Sequence, residues 1–349
     1  MPKSPKKQRI VIYRLGSLGD TVVALPCFHK VAQVWPDAER IVLTNFPVSS
    51  KAAPLEVILR EGGLIDAAVA YPVGTRSIAE LWILAKHLRS LRADVLVYLT
   101  PARGLLNAYR DWLFFRFCGF RKIVGAPLTP DLQVCRHIGS GTPEDVRIEE
   151  RECERLTRCL HALGPIDLGD PQMWTLRLSA RELAVGDSVL LPLDGTPYFA
   201  INMGGKAKEK DWGLQNWQGL LAELARRRPQ TGLLIVGAGE DSERARVIAE
   251  AWGEGPVIDA CGKLSPRESA AAMRHAAAFI GHDSGPLHLA AAAGVHCVGL
   301  FGNFNQPRRW HPPGEQHRII HRMSGLHTIT IAEVLHAVED IARPQRPPA

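Results

Sequence analysis

Phe279-Ile280-Gly281-His282-Asp283-Ser284-Gly285-Pro286-Leu287-His288-Leu289-Ala290-Ala291-Ala292 passes from an apolar run, through a small polar turn, into an alanine-rich segment. The order reads as strand, turn and helix. Ser284 suits an N-cap and Pro286 the first helical turn, while Gly285 lets a ligand approach the backbone. The free N–H groups and dipole of such a helix start suit a phosphate, although an ordinary capped helix carries the same signature. The alanines let the helix pack closely on its sheet.

The same alternation extends in both directions. Upstream, strands are expected at 10–13, 41–44, 68–71 and 94–99, with helices at about 21–35, 78–92 and 104–118. A Gly/Pro/Thr-rich loop is expected at 127–150, and helical periodicity returns at 149–163. A proline-containing stretch at 165–197, with one polar helical piece near 180–190, reads as the linker. Strands then follow at 198–202, 232–236, 256–259, 278–280 and 297–300. They are interleaved with helices at 215–228, 241–252, 266–277 and 285–293, and a last helix spans about 330–342. Repeated βαβ units imply parallel sheets, here two doubly wound α/β domains over 1–170 and 171–349. Ligands of such sheets sit at the carboxyl ends of the strands.

Composition agrees. The chain has 349 residues, about twice a typical domain, and 46% hydrophobic with 22% charged residues excludes a disordered chain. Seven cysteines form no Cys-x-x-Cys pair, which reads as reduced thiols of a cytoplasmic protein rather than disulfides or a metal site. No apolar run reaches the 18–20 residues of a membrane span. The net charge of +6 is uneven: residues 76–136 hold ten basic and four acidic side chains. Such a surface favours an anionic partner, or is simply a solvated face.

Two further segments follow strands and so belong at the same kind of edge. Asn202-Met203-Gly204-Gly205-Lys206-Ala207-Lys208-Glu209-Lys210-Asp211-Trp212 sets three lysines and two glycines where a diphosphate would be met by point charges. It lacks the spacing of a Walker A loop. Arg14-Leu15-Gly16-Ser17-Leu18-Gly19-Asp20 has two glycines in a strand-to-helix turn. Asp20 there is either a helix cap or a general base. The three-glycine dinucleotide fingerprint is missing, and so is Tyr-x-x-x-Lys, which disfavours an oxidoreductase or epimerase. Asp-x-Asp and metal-spaced clusters are missing too, so no metal or other cofactor is expected. No aromatic-basic module suggests nucleic acid.

Taken together these residues resemble glycosyltransferase family 9, the lipopolysaccharide heptosyltransferases. The resemblance rests on Asp283 to Ala292 with Val298-Gly299-Leu300-Phe301-Gly302, on Arg14 to Asp20 with Leu25-Pro26, on Lys210-Asp211-Trp212 with Trp217, and on Pro307, Trp310, Pro312 and Gly314. It implies a GT-B fold, two Rossmann-like doubly wound domains facing across a cleft, with the last helix able to pack back on the first. It also implies inverting, metal-independent transfer from a nucleotide-diphospho-sugar, foremost ADP-heptose, to a lipopolysaccharide core hydroxyl.

Carried over by motif, Asp20 would be the base, in a loop with Gly16, Ser17 and Gly19. Lys210, Ser284 and Gly285 would meet the diphosphate, with Lys206 beside them. Asp283 would bind the donor sugar, Glu240 the ribose, and Leu264 would lie against the base; His288 matches a family histidine of open role. Leu99-Thr100-Pro101-Ala102-Arg103 departs from the family pattern on the acceptor side. The partners implied are a nucleotide-sugar and an anionic, lipid-linked glycan at the cytoplasmic face of the inner membrane. Another nucleotide-sugar, another glycan acceptor, or a non-catalytic nucleotide- or glycan-binding module are the competing readings.

Overall fold

The computed structural model describes residues 7–45, 54–75, 77–141, 146–204 and 208–342. The chain divides into two compact units, one of residues 1–138 with 149–177 and the other of 139–148 with 178–349. Each is built on its own parallel sheet.

The first unit contains β1 (Arg9–Tyr13), α1 (Leu18–Val23), α2 (Leu25–Val34), β2 (Glu39–Thr44), α3 (Leu55–Leu59), β3 (Ala67–Ala70) and α4 (Ile78–Ser90). β4 (Val95–Tyr98), α5 (Leu105–Phe117) and β5 (Lys122–Val124) follow. Its sheet runs β3-β2-β1-β4-β5, all neighbours parallel. β1 is central because Ile10–Tyr13 is apolar on both faces, as a strand covered by helices on each side must be. Val11, Tyr13, Leu43, Leu96 and Phe115 pack in one of its cores.

A two-stranded sheet of β6 (His137–Gly141) and β7 (Val146–Glu149) precedes α6 (Glu152–Cys159). The second unit then comprises α7 (Ala180–Leu190), β8 (Tyr198–Asn202), α8 (Leu214–Arg227), β9 (Gly232–Ile235), α9 (Ser242–Ala249) and β10 (Val257–Asp259). It ends with α10 (Pro266–Met273), β11 (Ala278–His282), α11 (Gly285–Ala292), β12 (Cys297–Phe301), β13 (Arg318–His321) and α12 (Ile331–Ile341). The sheet order is β10-β9-β8-β11-β12-β13, and every neighbouring pair is parallel. α12 packs on α8 and on β11, β12 and β13.

Several expectations are corrected. The helix read at 21–35 is two helices that meet at Ala24, because Pro26 lacks an N–H and is accommodated only in a first turn, here that of α2. The loop read at 127–150 contains β6 and β7; the Gly and Ser of β6 and the Arg and Glu of the short β7 conceal the strands. Edge strands β5 and β13 lack a periodic signal, being three and four residues long with Lys or Arg and His in them. The seven cysteines are all buried thiols.

Helix α7, within the stretch read as a linker, is part of the second unit and lies on α10. Gly186 makes the contact close: a Cβ there would stand 2.8 Å from the Ala271 carbonyl carbon. Nearby, buried Arg267 donates through Nε to Glu182 Oε1 at 2.6 Å and through Nη2 to Oε2 at 2.9 Å. Ser179 donates its N–H and hydroxyl to the same carboxylate, at 2.7 and 2.9 Å. Burial opposes ionisation of Glu182, but these donors outweigh it and hold the carboxyl at about 2.

Removing one partner of such a pair strands a buried charge. Arg267→Ala should therefore cost about 3 kcal/mol in urea unfolding. Glu182→Gln with Arg267→Met should cost less than that single change, because no charge is left behind.

Candidate functional site

The parallel registers place the carboxyl ends of β8, β9, β11 and β12 on one edge of the second sheet. Four loops leave that edge, beginning at Met203, Val236, Asp283 and Gly302. Asn202, the last residue of β8, ties two of them together. Its amide nitrogen donates to Val236 O at 2.8 Å, and its oxygen accepts the Ser284 hydroxyl at 3.1 Å. Ser284 has the extended backbone of an N-cap, yet its side chain makes no cap bond to α11. Among the described residues the N–H groups of Gly285 and Leu287 therefore meet no side-chain acceptor (Pro286 has no N–H), the arrangement that suits an anion.

Lys210 and Asp283 meet at this edge. Lys210 Nζ donates to Asp283 Oδ2 at 2.7 Å and to Asp283 O at 3.3 Å. Asn305 Nδ2 donates to the same Oδ2 at 2.8 Å, and Phe304 lies under the ammonium with its ring centre 4.4 Å from Nζ. Lys210 is thus not a solvated lysine: a carboxylate, a carbonyl and an aromatic face fix its position. Lys206 lies outside the described residues.

Beneath the loop, Trp212 N donates to His282 Nε2 at 3.2 Å, and Trp212 Nε1 donates to Ile329 O at 2.9 Å. The Trp217 ring stands edge-on to both Trp212 and His282. His282 is fully buried, and burial lowers its pKa to about 4, so the ring is neutral at pH 7. Asp211 accepts from Arg244 Nη2 and from Gly213 N, both at 3.0 Å. Although burial works against it, these donors keep its carboxyl below the ordinary range.

Glu240 sits in the turn after β9. Its neighbour Asp241 lies across Gly204 and Gly237: a Cβ on Gly204 would stand 2.5 Å from Asp241 Oδ2, and one on Gly237 would stand 2.7 Å from it. Leu264 is half-buried in the turn before α10. That turn comes close to the Glu240 loop, since Gly262 has φ +69° and a Cβ on it would stand 2.6 Å from Gly239 Cα. His288 is buried one turn into α11.

Gly16, Ser17, Gly19 and Asp20 belong to the first unit. Asp20 Oδ2 accepts the Ser17 N–H at 2.7 Å and the Ser17 hydroxyl at 2.8 Å, a capping box at the start of α1. Oδ1 takes no hydrogen bond among the described residues. Gly16 has φ +140° and its absent Cβ would stand 2.6 Å from Asp20 Cβ, so glycine is required there. Gly16 N also donates to Asn45 Oδ1 at 3.1 Å. Below the turn, fully buried Arg14 donates to the carbonyls of Leu99 and Asp20. It locks β1, β4 and α1 together at their ends.

Asn202, Asn305, Phe304, His282 and Arg14 are the contributors to which motif reading gave no role, although Asn202, His282 and Arg14 stand inside the motif segments. A signal existed for the first four, since each flanks the carboxyl end of a strand. Arg14 directly follows an apolar strand, where a cation signals burial with carbonyl partners.

His282 gives a pH prediction. Unfolded, it would take a proton near 6.5, whereas the folded protein resists it down to about 4. The unfolded state therefore binds more protons as pH falls from 6.5 to 4, and stability drops over that window. Urea unfolding of wild type and His282→Gln should show a shallower loss between pH 6.5 and 4 in the variant.

Comparison with known proteins bears on the family and the fold. A family model described as glycosyltransferase family 9 (heptosyltransferase) matches residues 145–332, more than half of the chain. No curated protein sequence matches closely enough to count as a relative. Among solved structures, a family 9 glycosyl transferase from Veillonella parvula is similar with a TM-score of 0.72 at 19% identity, over 97% of this chain and 98% of that one. E. coli ADP-heptose LPS heptosyltransferase II gives 0.66 at 16%, over 96% and 98%. E. coli heptosyltransferase WaaC, solved with ADP-2-deoxy-2-fluoro heptose, gives 0.65 at 17%, over 95% and 99%. The structural likeness establishes the fold as GT-B, two Rossmann-like units on parallel sheets. With the matched family model and the strand-end loops it covers, the chain belongs to glycosyltransferase family 9, the heptosyltransferases.

Proposed function

We propose that this glycosyltransferase moves a heptose from ADP-heptose to a hydroxyl of a lipopolysaccharide core, with inversion and without a metal. The observation that carries the reading is the fixed Lys210–Asp283 pair beside the uncapped start of α11. A diphosphate at this edge meets the Lys210 ammonium and the backbone N–H groups of Ser284 and Gly285. Asp283, held by Lys210 and Asn305, keeps its remaining acceptor capacity for a hydroxyl of the donor sugar. Glu240 and Leu264, on loops of the same unit, serve the ribose and the base; Lys206 adds a second positive charge, and His288 supports the helix from within.

In the reaction the acceptor hydroxyl attacks the anomeric carbon on the face opposite the diphosphate. The new C–O bond forms as the bond to the leaving phosphate oxygen breaks, and the hydroxyl proton passes to Asp20 Oδ1. Ser17 holds the other oxygen of that carboxylate, so its orientation is set before substrate arrives. Charge developing on the leaving diphosphate is stabilised by Lys210 and the α11 N-terminus, the role a divalent cation plays elsewhere. The acceptor is taken to be anionic and lipid-linked, in keeping with the ten-to-four basic excess of residues 76–136.

Transfer assays with ADP-heptose and a lipopolysaccharide-core acceptor, run with excess chelator, test this. Lys210→Ala should lower kcat about 10²–10³-fold, the scale of one electrostatic stabiliser. Asp20→Asn should lower it about 10²–10⁴-fold while leaving nucleotide binding intact. Wild-type turnover by Asp20→Asn would remove the base assignment, and loss of all activity in chelator would remove the metal-free mechanism.

A further inference from the structure

Helices α4 and α5 each turn large apolar side chains toward solvent, the reverse of an ordinary sheet-covering helix. On α4, Leu84, Ala85 and Leu88 face the core, yet Ile78 is 83% exposed and Trp82 is also exposed. On α5, Ala108, Asp111 and Phe115 are buried while Leu106 is 87% and Leu113 61% exposed, with Tyr109 and Phe117 alongside. Positions 106, 109, 113 and 117 recur at helical spacing, so they form one stripe. The stripes of the two helices join where the Trp82 and Phe117 rings lie 6.0 Å apart.

Cations edge this apolar face. Lys86 lies over the Trp82 ring, Arg89 over Phe117 at 4.3 Å, and Arg116 over Trp112. Arg89 donates to Phe117 O, and Arg116 to Phe120 O and Arg121 O. None of the three pairs with a carboxylate among the described residues. Arg110 also borders the face, sharing buried Asp111 with Arg103. Of the nearby acids, Glu80 lies on another side of α4 and Asp94 faces Arg121 at 3.7 Å.

We propose that this α4–α5 face docks on an anionic lipid bilayer, with Ile78, Trp82, Leu106 and Leu113 entering the acyl boundary and Lys86, Arg89 and Arg116 meeting phosphate headgroups. Apolar side chains level with unpaired cations are what an interfacial layer accommodates, since it offers hydrocarbon and negative charge within a few ångströms. A second copy of the chain is the poorer occupant. A two-fold contact would set these same unpaired cations against one another, and protein interface cores are depleted in charge. The inference stands on the surface alone and does not rest on the transfer chemistry.

Sedimentation with vesicles of phosphatidylglycerol and phosphatidylcholine tests it, with no nucleotide-sugar or glycan present. The protein should bind anionic vesicles and leave pure phosphatidylcholine, and 0.5 M salt should weaken binding. Leu106→Ser with Leu113→Ser, and separately Lys86→Ala with Arg116→Ala, should each weaken it about tenfold or more. Leu106, Leu113 and Lys86 are exposed, so thermal unfolding should be unchanged by Leu106→Ser with Leu113→Ser and by Lys86→Ala alone. Arg116→Ala, in contrast, also removes two bonds to backbone carbonyls. Brominated lipid should quench a part of the tryptophan emission that Trp82→Phe removes. Absence of binding to anionic vesicles, equal binding to neutral ones, or a concentration-dependent dimer broken by Leu106→Ser with Leu113→Ser would each overturn the proposal.

Discussion

The ion pair of Lys210 and Asp283 joins residues 73 positions apart at the carboxyl edge of a parallel sheet. Neither side chain reaches that place alone. Lys210 arrives because Trp212 is anchored below it through His282 and Ile329, and Asp283 because β11 is clamped between β8 and β12. A lysine free in solvent would spread its charge over many rotamers and add little at any one point. Held by a carboxylate, a carbonyl and the Phe304 ring, its charge is ready where a diphosphate would lie. The cost is that Asp283 shares this charge, so the site is closer to neutral than its lysine-rich sequence suggests.

The first unit solves a comparable problem with buried Arg14. Its guanidinium satisfies two carbonyls where β4 ends and α1 begins, and the turn above it closes through Gly16 and the Ser17–Asp20 capping box. Reading Asp20 as a cap and reading it as a base turn out to be compatible. One oxygen makes the cap bonds and the other takes none among the described residues. A carboxylate fixed by one edge is a better oriented proton acceptor than a freely rotating one.

Most of the scaffold was legible because its strands are buried on both faces. Tyr198–Asn202 was read to the residue, and Phe279 to Ala292 yielded strand, turn and helix in the right order. Legibility failed where burial did not impose a pattern. β5 and β13 lie at sheet edges and carry charge, while the Gly-containing β6 resembles a loop. At the site, the residue types and their loops were visible, but the pairings were not. Asp283 with Lys210 and Asn305, and Ser284 with Asn202, are contacts between distant strand ends that only the sheet order creates. The exposed stripe of α5 was hidden for a different reason: a helix apolar on two sides shows little periodicity.

Calorimetric titration of ADP, GDP, UDP and dTDP into the protein, with chelator present, bears most directly on the donor site. The account predicts that ADP binds most tightly and that Lys210→Ala weakens it about tenfold or more, as expected for loss of one charge-assisted contact to phosphate. Tighter binding of another nucleotide, or ADP affinity unchanged in Lys210→Ala, would contradict it.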